Sequence, residues 1–345
     1  MAHSTTATSP TVKFGPPRIG IFAPSSPVGL VELDLGVQQI RDEEFDVFVH
    51  PQTTARDFLS AGTDHQRAAA LLDLANDDSI DVVWAARGGW GAARMLPLLA
   101  AAPIPARRKT LVGYSDVTAL HEFVRQVWGW QTLHAVVPAS RLQAVSTEQW
   151  QATIQSVRTI QTAITTQPSQ HKQHQLRWLI PPDHDTQDHQ IRAELIGGNL
   201  TLMTTLVGTP WQPSGRAKIL FFEDVHEKLY RIERYVTQLE QAGMFEGAAA
   251  VVLGDFTHCD DEANVMLAPI TDKTTFNWQT HPQVPQRNTF SLDEGLTRIF
   301  SQACAGRKVP LAIGLPVGHG PNFWPLELGC VYQLTRSGLL IQQER

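Results

Sequence analysis

The stretch from Thr110 to Gly129 constrains the fold most, because its pattern changes abruptly from that of a strand to that of a helix. The apolar run from Thr110 to Val112 predicts a strand, and Gly113 permits a sharp turn after it. Apolar residues then recur at helical spacing until Gly129 provides a stop: Val117, Leu120, Val124 and Val127. Ser115 is therefore expected at the point where a strand becomes a helix.

A serine at such a junction has two interpretations. Its hydroxyl can cap the helix, as serines before helices ordinarily do. Alternatively, the hydroxyl projects from a tight turn beside the free N–H groups of the first helical turn, which is the arrangement of a nucleophile elbow. This stretch by itself favours the cap, so evidence for a nucleophile must come from residues elsewhere in the chain.

Strands alternate with helices on both sides of this stretch, which is the pattern of a layered α/β protein. In the first half, strands are expected at 18–24, 45–49, 80–86 and 133–137, with helices at 65–75 and around 95–99. The almost continuous apolar character of 80–86 suits a parallel sheet that is covered on both faces. In the second half, strands are expected near 194–196 and at 218–222, 249–253 and 310–313, with helices at 228–241 and 292–303.

The length of 345 residues is sufficient for two domains, each with its own core. We interpret residues 1–16 as a disordered tail and 17–143 as an N-terminal domain, a parallel-sheet α/β sandwich that carries the elbow. Residues 144–190 are rich in Gln, Thr and His and are interpreted as a linker without metal-ligand spacing. Residues 191–345 form the predicted C-terminal α/β domain.

Composition excludes several classes of protein. The net charge is -6 and no basic run occurs, which argues against a nucleic-acid partner. No apolar run approaches the ~18 residues of a membrane span, and the first ten residues lack the pattern of a signal peptide. The three scattered cysteines favour a reducing compartment without a disulfide framework. We therefore expect a protein of a reducing compartment that has no membrane partner.

A nucleophilic serine needs a base, and a histidine base needs an acceptor for its second nitrogen. His319 follows a predicted strand and lies between two glycines, which suits a base on a rigid turn; an ordinary surface-loop histidine is the alternative interpretation. His121 lies inside the helix after Ser115, and His134 lies in a predicted strand. His121 is therefore expected to be packed and His134 to lie in the core or at an edge, which makes both weaker candidates for the base.

The acceptor is expected to be a carboxylate that the end of a strand holds in place. Glu223 directly follows an apolar strand, although a charged residue there can also be a simple solvated terminus. Asp224 and Glu227 compete with it. In an extended chain the Asp224 side chain points to the opposite face, and Glu227 lies where a carboxylate ordinarily complements a helix N-terminus. Glu223 is therefore the preferred acceptor.

The developing negative charge of an acyl-transfer reaction needs backbone donors. Gly88 and Gly89 follow a predicted strand and let backbone N–H groups approach a ligand closely, while the N–H of Asp116 would be the second donor. A plain tight turn is the alternative interpretation. The glycine spacing matches neither a dinucleotide-binding fingerprint nor a phosphate-binding loop.

Five short motifs together resemble a known family, the LD-carboxypeptidases, which include muramoyl-tetrapeptide carboxypeptidases and the microcin C self-immunity peptidase. The motifs occur in the order of the family, within about residues 18–342: 86–91, 113–116, 197–200, 220–225 with 230–232, and 318–320. Two features depart from the family pattern. Trp90 stands where tyrosine is common, and the segment 260–288 is longer than the usual connection.

The resemblance implies a serine peptidase with a two-domain α/β fold, acting as a cytoplasmic homodimer on peptides recycled from peptidoglycan. By motif match, Ser115 is the nucleophile, His319 the base and Glu223 the orienting acid. The backbone donors would come from Gly88–Gly89 and Asp116. No metal or organic cofactor is implied.

We therefore expect hydrolysis of an L,D-peptide bond that releases terminal D-alanine from a murein tetrapeptide. A microcin-immunity-type peptidase that cleaves a peptidyl- or aminoacyl-nucleotide conjugate is the alternative within the class. A non-catalytic small-molecule binding protein is the alternative of another class, although such a protein needs no complete set of Ser, Glu and His.

A carboxypeptidase must also bind a terminal carboxylate, for which the two-pronged guanidinium of arginine is suited. Arg87, Arg231 and Arg234 are the candidates, and surface ion pairs are the competing interpretation of all three. Trp90 is the candidate for a wall of the substrate pocket.

Overall fold

The computed structural model describes residues 17–139, 145–162, 173–182, 190–259, 265–267, 287–289, 291–321 and 323–344. The predicted tail at 1–16 and most of the segment 260–288 lie outside these ranges. Within the described ranges, no helix is long and apolar enough to cross a membrane.

Five strands of the first half form a parallel sheet, because helical segments connect them in sequence. Its order is β5-β4-β3-β1-β2. The strands are β1 (Arg18–Phe22), β2 (Asp46–Val49), β3 (Val82–Ala85), β4 (Thr110–Gly113) and β5 (Gln131–His134). The α-helices are α1 (Leu30–Asp42), α2 (Asp64–Asn76), α3 (Leu96–Ala100) and α4 (Thr118–Phe123). The predicted strands and the helix at 65–75 are thus present, with ends that differ by a few residues.

Helix α1 was not foreseen in the sequence. Its buried stripe includes Gly36, which weakens the apolar periodicity that marks a helix. A Cβ at Gly36 would lie 2.0 Å from the carbonyl oxygen of Pro138, so the helix backbone lies directly against a neighbouring loop. The close packing at Gly36 requires glycine, and glycine adds nothing to the apolar periodicity by which a helix is recognised in a sequence.

The segment at 144–190 contains more structure than a linker. Its described parts comprise α5 (Thr147–Thr162), β6 (Gln173–Gln175) and β7 (Arg177–Ile180). Helix α5 packs on the first half of the chain, where the Trp150 ring stacks on Trp84 at 5.7 Å. Strands β6 and β7 extend opposite edges of the second sheet. The described parts of the segment therefore pack against both halves of the chain.

The second half builds an eight-stranded mixed sheet, in the order β6-β16-β15-β8-β9-β10-β13-β7. Its strands include β8 (Ile191–Asn199), β9 (Lys218–Val225), β10 (Ala250–Thr257), β13 (Leu311–Ile313), β15 (Val331–Leu334) and β16 (Leu339–Glu344). Strands β8, β9, β10 and β13 run parallel. The helices are α6 (Leu200–Thr205), α7 (Leu229–Gln241) and α8 (Leu292–Ala305). A separate ladder joins β11 (Val265–Leu267) to β12 (Arg287–Thr289).

The two halves are joined by more than their connecting segment. Strand β14 (Leu326–Leu328) belongs to the C-terminal half, but it pairs antiparallel with β5 and so forms the outer edge of the first sheet. One buried cluster includes residues of both halves, such as Trp84 and Phe221. The glycine turn at the end of β8 also meets α4, since Asn199 N donates to Thr118 Oγ1 at 3.1 Å. These contacts fix the C-terminal half relative to the elbow.

The strand order of the first sheet creates a crevice at the carboxyl ends of β1 and β3. After β1 the chain continues to β2 on one side of the sheet, and after β3 it continues to β4 on the other side. The strand order therefore reverses between β1 and β3, and ligands of α/β proteins commonly bind at such a reversal. The loops that follow β1, β3 and β4 meet there.

Candidate active site

Ser115 lies directly beyond β4 with a φ of +63°, in the left-handed region that L-residues rarely adopt. A short 3₁₀ turn (Ser115–Val117) begins at this residue and leads into α4. Gly113 allows the close turn, because a Cβ there would lie 2.9 Å from Val117 and 3.1 Å from Ala85. The serine therefore occupies a strained strand-to-helix turn, as a nucleophile elbow requires.

His121 stabilises this turn. Its Nε2 donates to the carbonyl oxygen of Gly113 at 2.9 Å, and the ring is completely buried. Burial lowers the pKa of His121 to about 4, so the ring is neutral near pH 7. His134 is also fully buried, and burial lowers the pKa of this residue well below its ordinary range. His121 is thus packed as expected, and His134, for which the sequence left the core and an edge open, lies in the core.

The glycine pair after β3 faces the elbow. A Cβ on Gly88 would lie 2.9 Å from Ser115 Cβ and 3.2 Å from its Oγ, so this loop contacts the serine directly. Gly89 has a φ of +118°, and a Cβ there would lie 2.3 Å from Ser26 Oγ. Glycine is required at both positions, because any side chain would displace the loop or the serine.

Asp116 ties the same loop to the elbow through its side chain. Its Oδ2 accepts a hydrogen bond from the backbone N–H of Ala92 at 2.8 Å, and the residue is 3% exposed. Burial raises the pKa of Asp116, although hydrogen bonds to its carboxylate oppose that effect. The carboxylate of Asp116 thus has a structural task, and its backbone N–H lies in the first turn beside Ser115.

Glu223 and His319 are in direct contact. The Nδ1 atom of His319 lies 2.7 Å from Glu223 Oε2, and the Glu223 side chain is fully buried near the end of β9. Gly318 permits this approach, since with a φ of +138° its Cβ would lie 3.0 Å from both Cβ and Oε2 of Glu223. Burial alone would lower the pKa of His319, but the negative charge of Glu223 and its hydrogen bond outweigh that effect and raise the pKa.

Asp224 points to the opposite side of β9 and holds the start of α6. Its carboxylate accepts hydrogen bonds from Asn199 Nδ2 at 2.8 Å and from the Thr201 N–H and hydroxyl at 3.0 and 2.8 Å. Burial, together with the charge of Glu223, raises the pKa of Asp224 to about 6. Glu227 lies beyond the strand and pairs with Arg231 at 3.5 Å. Of the three carboxylates considered from the sequence, Glu223 is the one in contact with His319.

We expect Asp224→Ala to lower the free energy of unfolding by about 2 kcal/mol, because it leaves the buried amide of Asn199 and the partly buried hydroxyl of Thr201 without their acceptor. Urea unfolding followed by circular dichroism measures this loss. A change below about 0.5 kcal/mol, as surface substitutions give, would show that Asp224 does not hold α6.

Asp255 is a neighbour of His319 that the sequence did not single out. It lies on β10, and a Cβ on Gly320 would lie 2.1 Å from its Oδ2. Burial raises the pKa of Asp255 to about 6, and the nearby charge of Glu223 adds to the shift. The available signal was an acidic residue after the apolar run of β10, the same signal that marked Glu223.

A cavity of about 550 Å³ brings these groups together. Its volume lies in the range of about 300–1,000 Å³ that small-ligand pockets occupy. Ser115 and His319 both line it, with Gly88 and Gly89. The other lining residues are Pro27, Val28, Gly29, Glu32, Arg56, Arg87, Tyr114, Val137 and Ala139.

The predicted substrate-binding residues divide into two groups. Arg87 lines the cavity, whereas Trp90, Arg231 and Arg234 are not among its lining residues. The Trp90 ring lies under Arg94 at 5.8 Å, and Arg234 lies over the Tyr230 ring at 5.7 Å. Arg56 and Glu32 were not predicted from the sequence. Arg56 follows a turn, Glu32 lies at the start of a helix, and no recognisable motif marks either residue.

The arrangement contains the components that acyl transfer requires. A serine hydroxyl on an elbow shares a cavity with an imidazole whose other nitrogen contacts a buried carboxylate. Glycine backbone adjoins the hydroxyl. Within the part of the chain that the structure describes, no group of three or more His, Cys, Asp or Glu residues is placed to hold a metal ion.

Family models match both halves of the chain. The LD-carboxypeptidase N-terminal domain model matches residues 19–135, and the LD-carboxypeptidase C-terminal domain model matches residues 192–334. These matches span most of the sequence, and they agree with the resemblance drawn from the motifs. The chain belongs to the LD-carboxypeptidase family of peptidases.

Individual relatives extend this result. The murein tetrapeptide carboxypeptidase of Pseudomonas aeruginosa is 30% identical over 327 residues, which covers 89% of this chain and 90% of the relative. The microcin self-immunity protein MccF of Escherichia coli is 25% identical, over 68% of this chain and 74% of that protein. Two relatives from Rickettsia conorii and Rickettsia prowazekii are 36% and 37% identical, and the chain spans 65% and 59% of their lengths.

Solved structures confirm the fold. The muramoyltetrapeptide carboxypeptidase from Oxalobacter formigenes superposes with a TM-score of 0.65 at 23% identity, covering 94% of this chain and 97% of that one. MccF in complex with glutamyl sulfamoyl guanosine gives a TM-score of 0.73 at 20% identity, with 97% and 98% covered. The predicted fold, an α/β protein with a parallel sheet in its N-terminal half and a second α/β unit after it, is therefore confirmed.

Proposed function

We propose that the protein is a serine-type LD-carboxypeptidase that removes terminal D-alanine from a murein tetrapeptide. The observation that carries the proposal is the cavity that Ser115 and His319 both line, with His319 Nδ1 at 2.7 Å from Glu223 Oε2. The relative named murein tetrapeptide carboxypeptidase supports the choice of substrate. A role in cytoplasmic peptidoglycan recycling, as a homodimer, is part of the same proposal.

In the proposed reaction, Ser115 Oγ attacks the carbonyl carbon of the scissile bond while His319 Nε2 takes its proton. Glu223 holds the imidazole through Nδ1 and stabilises the imidazolium that forms. Backbone N–H groups of Gly88–Gly89 and of Asp116 stabilise the oxyanion. His319 then returns the proton to the leaving amine. In the second half of the reaction, water attacks the carbonyl carbon of the acyl-enzyme while His319 takes a proton from it, and His319 gives that proton to Ser115 Oγ as the shortened peptide leaves.

Of the three predicted arginines, Arg87 is assigned in this proposal to the terminal carboxylate. It lines the cavity, and its Nη1 donates to the carbonyl oxygen of Pro27 at 2.9 Å, which fixes the guanidinium on the loop after β1. Arg231 and Arg234 lie on α7, outside the cavity lining, so we assign them no contact with substrate.

Mass spectrometry of a substrate panel tests the proposal. Purified protein is incubated with murein tri- and tetrapeptides and with a glutamyl-sulfamoyl nucleoside, a ligand of the kind seen with MccF. We expect loss of one alanine from the tetrapeptide and an unchanged tripeptide. Cleavage of the nucleoside conjugate alone would favour the immunity-type activity, and no cleavage of either would overturn the assignment as a peptidase.

The pH profile tests the environment of His319. Because the base must be neutral, kcat/KM is expected to fall as the pH drops through a His319 pKa that lies above the ordinary 6.5. The negative charge of Asp255 contributes to that raised pKa, so Asp255→Asn should move the acidic limb to lower pH. A limb that stays in place, or moves to higher pH, would contradict the electrostatic role of Asp255.

A further inference from the structure

Arg67 is a completely buried arginine of α2 that has no part in the proposed proton transfers. A buried charge is costly unless its donors find partners. The Nε atom of Arg67 donates to the carbonyl oxygen of Gly62 at 3.2 Å, and its Nη2 donates to the carboxylate of Asp64. Both of these partners lie at the start of α2, whereas the partners of the remaining nitrogen, Nη1, lie in two other loops.

The Nη1 atom of Arg67 joins the loop after β1 to the glycine loop after β3. It donates to the carbonyl oxygen of Pro24 and, at 2.8 Å, to that of Gly91. Gly91 has a φ of +112°, and a Cβ there would lie 3.1 Å from Nη1, so the backbone of the glycine loop lies directly on the guanidinium. One buried group therefore fixes the spacing between two loops that both contribute to the cavity lining.

The spacing of these two loops sets the direction of a backbone donor. The N–H of Ser26 donates to the carbonyl oxygen of Gly88 at 3.4 Å, and Ser26 Oγ accepts from the N–H of Trp90 at 3.1 Å. In a trans peptide the N–H points away from the carbonyl oxygen, so the N–H of Gly89 is turned away from Ser26. A shift of the loop after β1 would therefore rotate the peptide that adjoins Ser115.

We propose that Arg67 is a positioning residue for the reaction, because its guanidinium holds the glycine loop with the Gly89 N–H directed at the oxyanion. Asp116 holds the end of the same loop from the elbow, through the N–H of Ala92. A donor fixed in this way stabilises the transition state more than the bound substrate, since the negative charge develops only there. The inference rests on the proposed acyl-transfer reaction for the position of the oxyanion.

Steady-state kinetics of Arg67→Met with the murein tetrapeptide test this role. The substitution should lower kcat roughly tenfold to a hundredfold, as expected for a misplaced oxyanion donor. KM should stay within about twofold, because the lost interaction forms only in the transition state. Calorimetric affinity of Ser115→Ala protein for the intact tetrapeptide should likewise stay unchanged when Arg67→Met is added. The acidic limb of kcat/KM should keep its position, since the contacts of His319 are not altered.

Two milder variants separate the contacts to the loops from the ion pair, and they keep the test decisive if Arg67→Met does not fold. Arg67→Lys retains a cation with three N–H donors for the carbonyl oxygens and should recover part of kcat. Asp64→Asn removes the charged partner of Arg67 but leaves its contacts to Pro24 and Gly91 in place. We therefore expect kcat to decrease in the order wild type, Asp64→Asn, Arg67→Lys, Arg67→Met.

Arg125→Met is the matched control, because the Arg125 side chain is only 15% exposed but hydrogen-bonds to Glu122 and Glu194. Both Met variants should have a lower thermal midpoint, since each leaves polar groups without a partner, but only Arg67→Met should lose kcat. An equal loss of kcat in the two variants, kcat of Asp64→Asn below that of Arg67→Lys, or a loss confined to KM and calorimetric affinity would overturn the positioning role alone. If wild-type protein hydrolysed neither the peptides nor the nucleoside conjugate, the proposed reaction would be overturned, and this inference with it.

Discussion

Ser115→Ala is expected to reduce kcat for tetrapeptide hydrolysis on the order of 10⁶-fold, by analogy with serine peptidases that lose their nucleophile. The hydroxyl faces the cavity beside Gly88, and no other serine lines that cavity in the described residues. Release of alanine under saturating substrate measures the effect.

The same substitution should leave the fold intact. Alanine and serine have similar difficulty at the φ of +63° found here, so the thermal midpoint should change little. Far-ultraviolet circular dichroism and thermal unfolding provide the control. Hydrolysis at the wild-type rate by a folded Ser115→Ala protein would exclude Ser115 as the nucleophile.

Glu223→Gln is expected to reduce kcat on the order of 10⁴-fold, as loss of the orienting carboxylate does in serine proteases. The side chain is fully buried and contacts His319 Nδ1 at 2.7 Å. An amide keeps the size of the side chain but removes the negative charge that stabilises the imidazolium. Steady-state kinetics measure the loss, with little change expected in the thermal midpoint.

Glu227→Gln is the matched control for this variant. Glu227 pairs with Arg231 at 3.5 Å near the start of α7 and makes no contact with His319. Its substitution should cost roughly 0.3–1 kcal/mol of stability, typical of a charge at a helix end, and should retain most of the activity. If the two phenotypes were exchanged, the acid of the site would be Glu227.

The elbow could be predicted because its signals are local. A short apolar run, a glycine and a helical period place Ser115 at a turn, and the structure adds the strained φ that no sequence pattern specifies. The choice of Glu223 over Asp224 followed from the alternation of side chains along a strand. In the structure, Asp224 bonds to Asn199 and Thr201 on the other side of that strand.

Features that depend on distant parts of the chain were not predictable in this way. Strand β14 joins the first sheet although it lies near the C-terminus, and α5 packs on Trp84 from a segment of polar composition. Arg56 follows β2 and Glu32 lies on α1, yet both line the cavity at the reversal of strand order. Such proximity depends on topology, whereas sequence motifs report local geometry.

The central claim, removal of a D-amino acid from the carboxyl terminus, is tested most directly with a pair of stereoisomers. Wild-type protein is incubated with tetrapeptides that differ only in a terminal D-alanine or L-alanine, and released alanine is resolved by chiral chromatography. We predict that the first peptide yields D-alanine and tripeptide in equal amounts and that the second is cleaved far more slowly. Equal or faster release of L-alanine, or no alanine from either peptide, would contradict the proposed activity.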